Sequence, residues 1–284
     1  MMAGGPALAG RVAVVTGASR GIGAAIARRF AAEGARVALV ARTLGPGGPL
    51  PGSLNEVAAA ITASGGTALA IQADLTSDAD LERITAEATA RLGAPDILVN
   101  NAAWSRFPPV WEAQPRHVEL ALRMNVHAPQ RLSQLVYPAM AAAGAGWILN
   151  ISSATADYPG AAPWETESRG FIFNHQGHST IYGMSKAALD RLTAGWAVEL
   201  AGSGIAVNAL APVGAVASEG ALAVGGWDQR DHIEPVEAMA EAALQLCHRP
   251  AQVLSGRIAR SLPLLAELGV GIRGLDGGEW QGNG

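Results

Sequence analysis

Apolar positions along the chain follow two alternating periods. Residues 11–16 (RVAVVT) form a β-branched apolar run that enters a glycine cluster, and from Ile22 to Glu33 apolar residues recur at helical spacing until Gly34 stops them. This pattern predicts strand, turn and helix. It continues with strands near 37–41, 68–73, 97–100, 147–152, 205–210 and 256–260, separated by helices near 54–64, 78–92, 116–143, 181–201 and 235–247. Strands that are apolar throughout and separated by helices are buried on both faces, which implies a parallel sheet covered on both sides. The expected fold is a doubly wound α/β domain of about seven strands, one domain over 1–284.

Three stretches break the rhythm. Residues 45–52 (GPGGPLPG) are glycine or proline at seven of eight positions and suit neither helix nor central strand. Residues 154–180 separate a strand from a helix by more chain than a compact domain leaves without a purpose such as a lid. Residues 213–234, with Gly220, Gly225 and Gly226, make a third long connection. A tail begins at about 261, and from Gly269 it is glycine-rich and expected to be marginally ordered unless docked on a partner subunit.

Composition narrows the function classes. With 49% hydrophobic, 15% charged and 5% aromatic residues, the 284-residue chain has material for an aliphatic core, which excludes a disordered scaffold. Its 20 basic and 24 acidic residues give a charge of -4 without a dense basic run, so neither nucleic acid nor an anionic membrane is an expected partner. Small molecules are. The single cysteine, Cys247, excludes an intramolecular disulfide and a CxxC metal site and fits a reducing cytoplasm. No signal peptide or membrane span is readable.

The chemistry begins at the first turn. Thr16-Gly17-Ala18-Ser19-Arg20-Gly21-Ile22-Gly23 joins the first strand to the first helix. A diphosphate needs backbone at close range, free N–H donors and the positive end of a helix dipole, and a glycine turn in this context provides all three. The ordered motifs resemble the main branch of the short-chain dehydrogenases/reductases, with their Rossmann-type sheet. TGASRGIG is similar to that family's cofactor turn, Asp74-Leu75 to its adenine-contacting pair and Asn100-Asn101-Ala102-Ala103 to its NNAG segment. Asn125, Ser153 and Tyr182-Gly-Met-Ser-Lys186 resemble its catalytic four, and the resemblance runs from about Arg11 to Arg260.

The resemblance implies a nicotinamide cofactor contacted by Gly17, Ser19, Arg20, Gly21, Ile22, Gly23, Arg42, Thr43, Asp74, Leu75, Asn101, Ala102, Tyr182, Lys186, Pro212 and Val213. An NAD enzyme places a carboxylate at the end of the second strand to bind the ribose 2′-OH, whereas a 2′-phosphate repels one. The chain reads Val40-Ala41-Arg42-Thr43 there, with Arg20 in the glycine turn, so NADP(H) is expected over NAD(H).

Hydride transfer to a carbonyl leaves an alkoxide that must be protonated as it forms. Tyr182 and Lys186, four apart, share a helix face, and the lysine ammonium is expected to depress the phenol toward neutrality. Lysine usage sharpens this reading: Lys186 is the only lysine among 20 basic residues. A compact ammonium suits holding a ribose and a phenol where the planar fork of arginine does not. By the resemblance, Ser153 bonds the substrate oxygen and Asn125 holds a water passing protons to Lys186. Ser152 is adjacent, but successive strand residues face opposite ways.

Three departures from the family pattern are readable. Ala103 replaces a glycine, Val213 separates Pro212 from Gly214, and Ser153 and Tyr182 stand 29 positions apart, where the family usually spans about a dozen. The extra chain contains Trp164, Phe171, Phe173, His175 and His178; with Asp157 and Glu165 nearby, the histidines hint at metal but lack a third ligand, so no metal is expected. Trp104, Ser153, Tyr158 and Tyr182 are the expected substrate pocket, suited to an apolar carbonyl compound or alcohol, with 154–180 and 213–234 shaping it; the alternative is that the insert packs on a neighbouring subunit. The reading is an NADP(H)-dependent carbonyl or secondary-alcohol oxidoreductase, a homodimer or homotetramer by resemblance. A non-catalytic dinucleotide sensor or a reductase of an enoyl group remains the alternative.

Overall fold

Seven parallel strands stand side by side in the computed structural model, which describes residues 5–48, 50–216 and 233–282. They are β1 (Val12–Thr16), β2 (Arg36–Ala41), β3 (Thr67–Gln72), β4 (Ile97–Asn100), β5 (Gly146–Ile151), β6 (Ile205–Ala211) and, after a short parallel pair β7 (Ala215–Val216) and β8 (Ile233–Glu234), β9 (Ile258–Arg260). The sheet order is β3-β2-β1-β4-β5-β6-β9. Every residue of β1, β4, β5 and β6 is buried, as their unbroken apolar runs require, whereas edge strand β3 is half exposed.

Helices α1 (Gly21–Ala32), α2 (Leu54–Ala63) and α8 (Val236–His248) cover one face; α3 (Asp78–Leu92), α5 (Ala128–Ala143) and α7 (Thr180–Glu199) contribute to the core on the other. Each face has its own hydrophobic core, one centred on Phe30, Leu39 and Leu244, the other on Val14, Leu98 and Leu132. The strand order reverses between β1 and β4, which opens a crevice at their carboxyl ends. The glycine turn and the Asn101 segment flank that crevice. Among the described residues no helix is long and apolar enough to cross a membrane.

Three expectations change. The long helix near 116–143 is α4 (Pro115–Leu122) and α5 joined by a π-helical turn, Arg123–His127, with the buried Asn125 inside it. The segment 154–180 is only partly a loop: it contains a 3-10 turn (Ala154–Ala156) and α6 (Arg169–His175). The tail is ordered on its own domain, because α9 (Ser261–Leu268) is followed by Val270, Ile272 and Leu275 packed against the α1/α8 core. Apolar residues spaced among the glycines of the tail provide that docking surface. Of the long connection 213–234, only the two ends are described; Gly220, Gly225 and Gly226 lie outside the described residues.

Candidate active site

The turn after β1 is built around close approach. Gly17 has φ +66, and a Cβ there would lie 2.9 Å from Ala102 Cα; at Gly23 one would lie 2.4 Å from the Gly17 carbonyl oxygen. Only glycine fits either position. Asn101 holds the turn from the side: its Nδ2 donates to the carbonyls of Thr16 at 2.9 Å and Gly17 at 3.2 Å. Thr16 Oγ1 in turn accepts the backbone N–H of Asn101 at 3.0 Å and of Ala102 at 3.1 Å. The Asn101 amide is thereby spent on the protein. Helix α1 starts at this turn with no side-chain cap and no acidic residue in its first turn. A glycine turn of this close approach, at a helix start with no side-chain cap, fits a diphosphate.

Most of the other expected cofactor residues follow the carboxyl ends of their strands. Ser19 is buried, Arg42 and Thr43 follow β2, and Asp74 follows β3, its Oδ1 accepting from Thr76 N at 2.9 Å. The Leu75 side chain is buried in the core, so a cofactor would meet its backbone. Pro212 and Val213 follow β6, where Val213 N donates to Glu234 Oε2 at 2.8 Å.

Ser153, Tyr182 and Lys186 come together at the carboxyl end of β5. Helix α7 reaches Tyr182 by passing close over the 3-10 turn: a Cβ on Gly183 would lie 2.4 Å from the Thr155 carbonyl oxygen. The Tyr182 hydroxyl faces the Ser153 hydroxyl. Ser153 Oγ also accepts from Thr155 N at 3.2 Å and lies 2.9 Å from Thr155 Oγ1. Lys186 is buried with its Nζ donating to the Ile151 carbonyl at 2.6 Å and standing 5.7 Å from the centre of the Tyr182 ring. Ser152, the neighbouring hydroxyl, is buried on the far side against Asp190.

These elements recur in known proteins. The sequence profile of the short chain dehydrogenase family matches residues 11–163. The chain belongs to the short-chain dehydrogenases. Hydroxysteroid dehydrogenase-like protein 2 of Danio rerio is 33% identical over 243 residues, which cover 86% of this chain and 55% of that protein. The chain thus spans about half the length of several curated relatives that it matches. A crystal structure of a short chain dehydrogenase from Mycobacterium thermoresistibile superposes with a TM-score of 0.78 at 30% identity, covering 93% of this chain and 89% of that one. A metagenomic short-chain oxidoreductase in complex with NADP superposes at 0.70 with 31% identity, covering 89% and 98%.

The electrostatics of this dehydrogenase site depart from the expected pattern. Burial pushes the Tyr182 phenol up to about 12, and the Ser153 hydroxyl facing it only partly opposes this. Desolvation, and not the ammonium of Lys186, thus sets the direction of the shift at the phenol. Burial brings Lys186 down to about 8, with the carboxylate of Asp190, one turn further along α7, pulling the other way. Asp190 is itself raised by burial and faces Arg260. Helical spacing from Lys186 was the signal by which the sequence could have shown Asp190.

Asn125 is built into the site by its side-chain amide. Its side chain accepts from Trp104 N at 2.8 Å and donates to Trp104 O at 3.0 Å and to Ser185 Oγ at 2.9 Å. These bonds tie the segment after β4 to α7 through Asn125, so its side chain positions both, with one Oδ1 bond and two Nδ2 bonds made to the protein. The π-helical turn presents it there.

On the substrate side, the ring that meets Tyr182 is Phe107, edge to face at 5.4 Å. The sequence reading missed it, although it follows the NNAA segment closely. Trp104 packs near His117 at 6.0 Å, and Tyr158 is 83% exposed, too far out in solvent to form a pocket wall. The two inserted histidines are taken up by rings: His175 stacks on Phe171 at 4.7 Å and His178 meets Trp111 at 5.8 Å. Asp157 pairs with Arg260 at 2.5 Å.

Proposed function

We propose that the chain is an NADP(H)-dependent oxidoreductase interconverting a largely apolar ketone and its secondary alcohol. The observation that carries this reading is the meeting of Ser153, Tyr182 and Lys186 at the carboxyl end of β5, beside a glycine cradle that fits a dinucleotide. The metagenomic short-chain oxidoreductase in complex with NADP supports the cofactor class.

When bound, the nicotinamide supplies or accepts the hydride. The chain's own residues handle the proton and the geometry. With its phenol held well above neutral pH, Tyr182 is protonated at pH 7 and in the right form to donate its O–H to the oxygen of a reduced carbonyl. The Ser153 hydroxyl, facing that phenol, orients the same oxygen. Lys186 keeps its charge beside them at neutral pH, and its fall toward 8 makes it a proton source closely matched to the medium. Phe107 and the aromatic insert supply apolar contact area around the substrate.

NADPH is favoured because Arg42 and Arg20 flank the end of β2 without a carboxylate. Following NADPH absorbance with a panel of ketones and alcohols tests the reaction, and titrating both cofactors into wild type and Arg42→Ala tests the preference. Turnover of none of the ketones or alcohols with either cofactor, or equal NADPH and NADH affinities, refutes the respective part. Self-association is proposed through the face of α4, where Leu120 and Leu122 are exposed. Light scattering decides it: a dimer or tetramer is expected, and a monomer contradicts it. A cytoplasmic setting completes the reading.

A further inference from the structure

Between β2 and α2 the glycine- and proline-rich detour is closed at its base, where Leu54 N donates to the Thr43 carbonyl and Asn55 N to the Leu44 carbonyl, each at 3.0 Å. Its far end leans on the glycine turn. Arg20 Nε donates to the Pro51 carbonyl at 2.7 Å, and Nη2 donates to the carbonyls of Gly52 at 2.9 Å and Leu50 at 3.3 Å. The same Nη2 lies 3.5 Å from Thr43 Oγ1. The contact is close as well as polar: Gly52 has φ +92, and a Cβ there would lie 2.6 Å from the Ser19 carbonyl oxygen and 3.0 Å from Arg20 Cβ. Three carbonyls thus seat one guanidinium at the end of β2, beside Thr43 and the exposed Arg42.

An arginine loses much side-chain entropy when it grips a phosphate, and a cation already held in a single orientation has lost it beforehand. Carbonyls are suited to this task because they fix the fork without neutralising it, as a carboxylate would. Among the described residues Arg20 Nη1 has no protein partner, so one part of the fork is left for a phosphate oxygen. We propose that Leu50–Gly52 is a strap that determines cofactor specificity: by seating Arg20 beside Thr43 and Arg42, it builds the recognition site for a phosphate ester on the adenosine ribose. This deepens the NADP(H) reading above and rests on it.

The test uses the adenosine half of the cofactor on the full chain, so that turnover plays no part. Adenosine 2′,5′-bisphosphate and AMP are titrated by calorimetry into wild type, Gly52→Ala and Arg20→Lys, with hydrogen exchange of the strap followed in each through the bonded amides of Leu54 and Asn55 at its anchor. Gly52→Ala keeps both arginines but drives the strap off the Ser19 carbonyl. Arg20→Lys keeps a charge but lacks the planar fork whose Nε and Nη2 reach Pro51, Gly52 and Leu50 from separate nitrogens, and it decides the matter if Gly52→Ala does not fold. Wild type is expected to prefer the bisphosphate tenfold or more. Both variants should lose most of that preference, with AMP affinity unchanged within twofold and faster exchange in the strap. Bisphosphate affinity retained in a variant whose strap exchanges faster overturns the proposal while leaving the NADP(H) reading intact. Equal weakening of both ligands also overturns it, since that marks damage to the diphosphate turn. Equal affinities in wild type overturn the NADP(H) reading itself.

Discussion

The hydroxyl of Tyr182 is the smallest feature on which the proposed reaction depends. Tyr182→Phe removes the acid and leaves the glycine cradle intact. Turnover is expected to fall by about 10²–10⁴-fold, with NADPH affinity, read from cofactor fluorescence, within a few-fold of wild type. Substantial residual turnover rules out the assigned acid. Lys186 carries a second prediction, because its ammonium is buried. Its ordinary value is 10.5, and burial lowers it to about 8. Between those pH values the unfolded chain holds a proton that the folded chain has released, so stability contributed by this group rises with pH through that window. Below about pH 8 the folded state bears the full cost of the buried charge. Lys186→Met is therefore expected to gain on wild type at pH 7 by at most about 3 kcal/mol, with the gap closing toward pH 10. Melting both proteins across this range checks it, and a gap independent of pH contradicts it. The same variant should lose activity.

Two elements position these residues. The π-helical turn at Arg123–His127 swings Asn125 into the core, where it is fully buried between Trp104 and Ser185. Asn125→Ala leaves both Trp104 backbone groups and the Ser185 hydroxyl short of a partner. A loss of about 1–3 kcal/mol in denaturant titration is expected, with a raised Michaelis constant for the carbonyl substrate. The second element is the insert, which folds through Trp164, Phe171 and His175 and latches to β9 through Asp157 and Arg260. Shortening the chain between Asp157 and His178 to a glycine-containing turn is expected to reorder the substrate ranking. If instead the ranking and Michaelis constants hold while the mass by light scattering changes, the insert is an interface and the pocket assignment fails.

At the scale of the molecule, the sheet is held between two cores, and the chain's end closes one of them. Val270, Ile272 and Leu275 pack on the α1/α8 side, and Glu33, just after α1, is drawn below its ordinary value against the opposing effect of burial, first by the Ala7 backbone N–H and Arg29 and last by Arg273 of the tail. Truncation after Leu268 removes three partly buried apolar side chains at about 1 kcal/mol each. The melting temperature is expected to fall by about 5–10 °C. An unchanged melting temperature shows that the tail contributes no stability.

The sequence by itself determined the strands and helices of the doubly wound sheet and their order. It also picked out the glycine turn and the Ser153, Tyr182 and Lys186 set. These were legible because they rest on local periodicity and on motifs whose residue types have few substitutes: only glycine tolerates the cradle, and one lysine stands among 19 arginines. Direction and partner were not legible. That Asn125 turns to Trp104, that Arg20 grips the strap and that Phe107 rather than Tyr158 meets Tyr182 all follow from contacts between residues distant in the chain. The signs of the shifts at Tyr182 and Lys186 belong with them, because desolvation is a property of the packed surroundings and no pattern along one helix reports it.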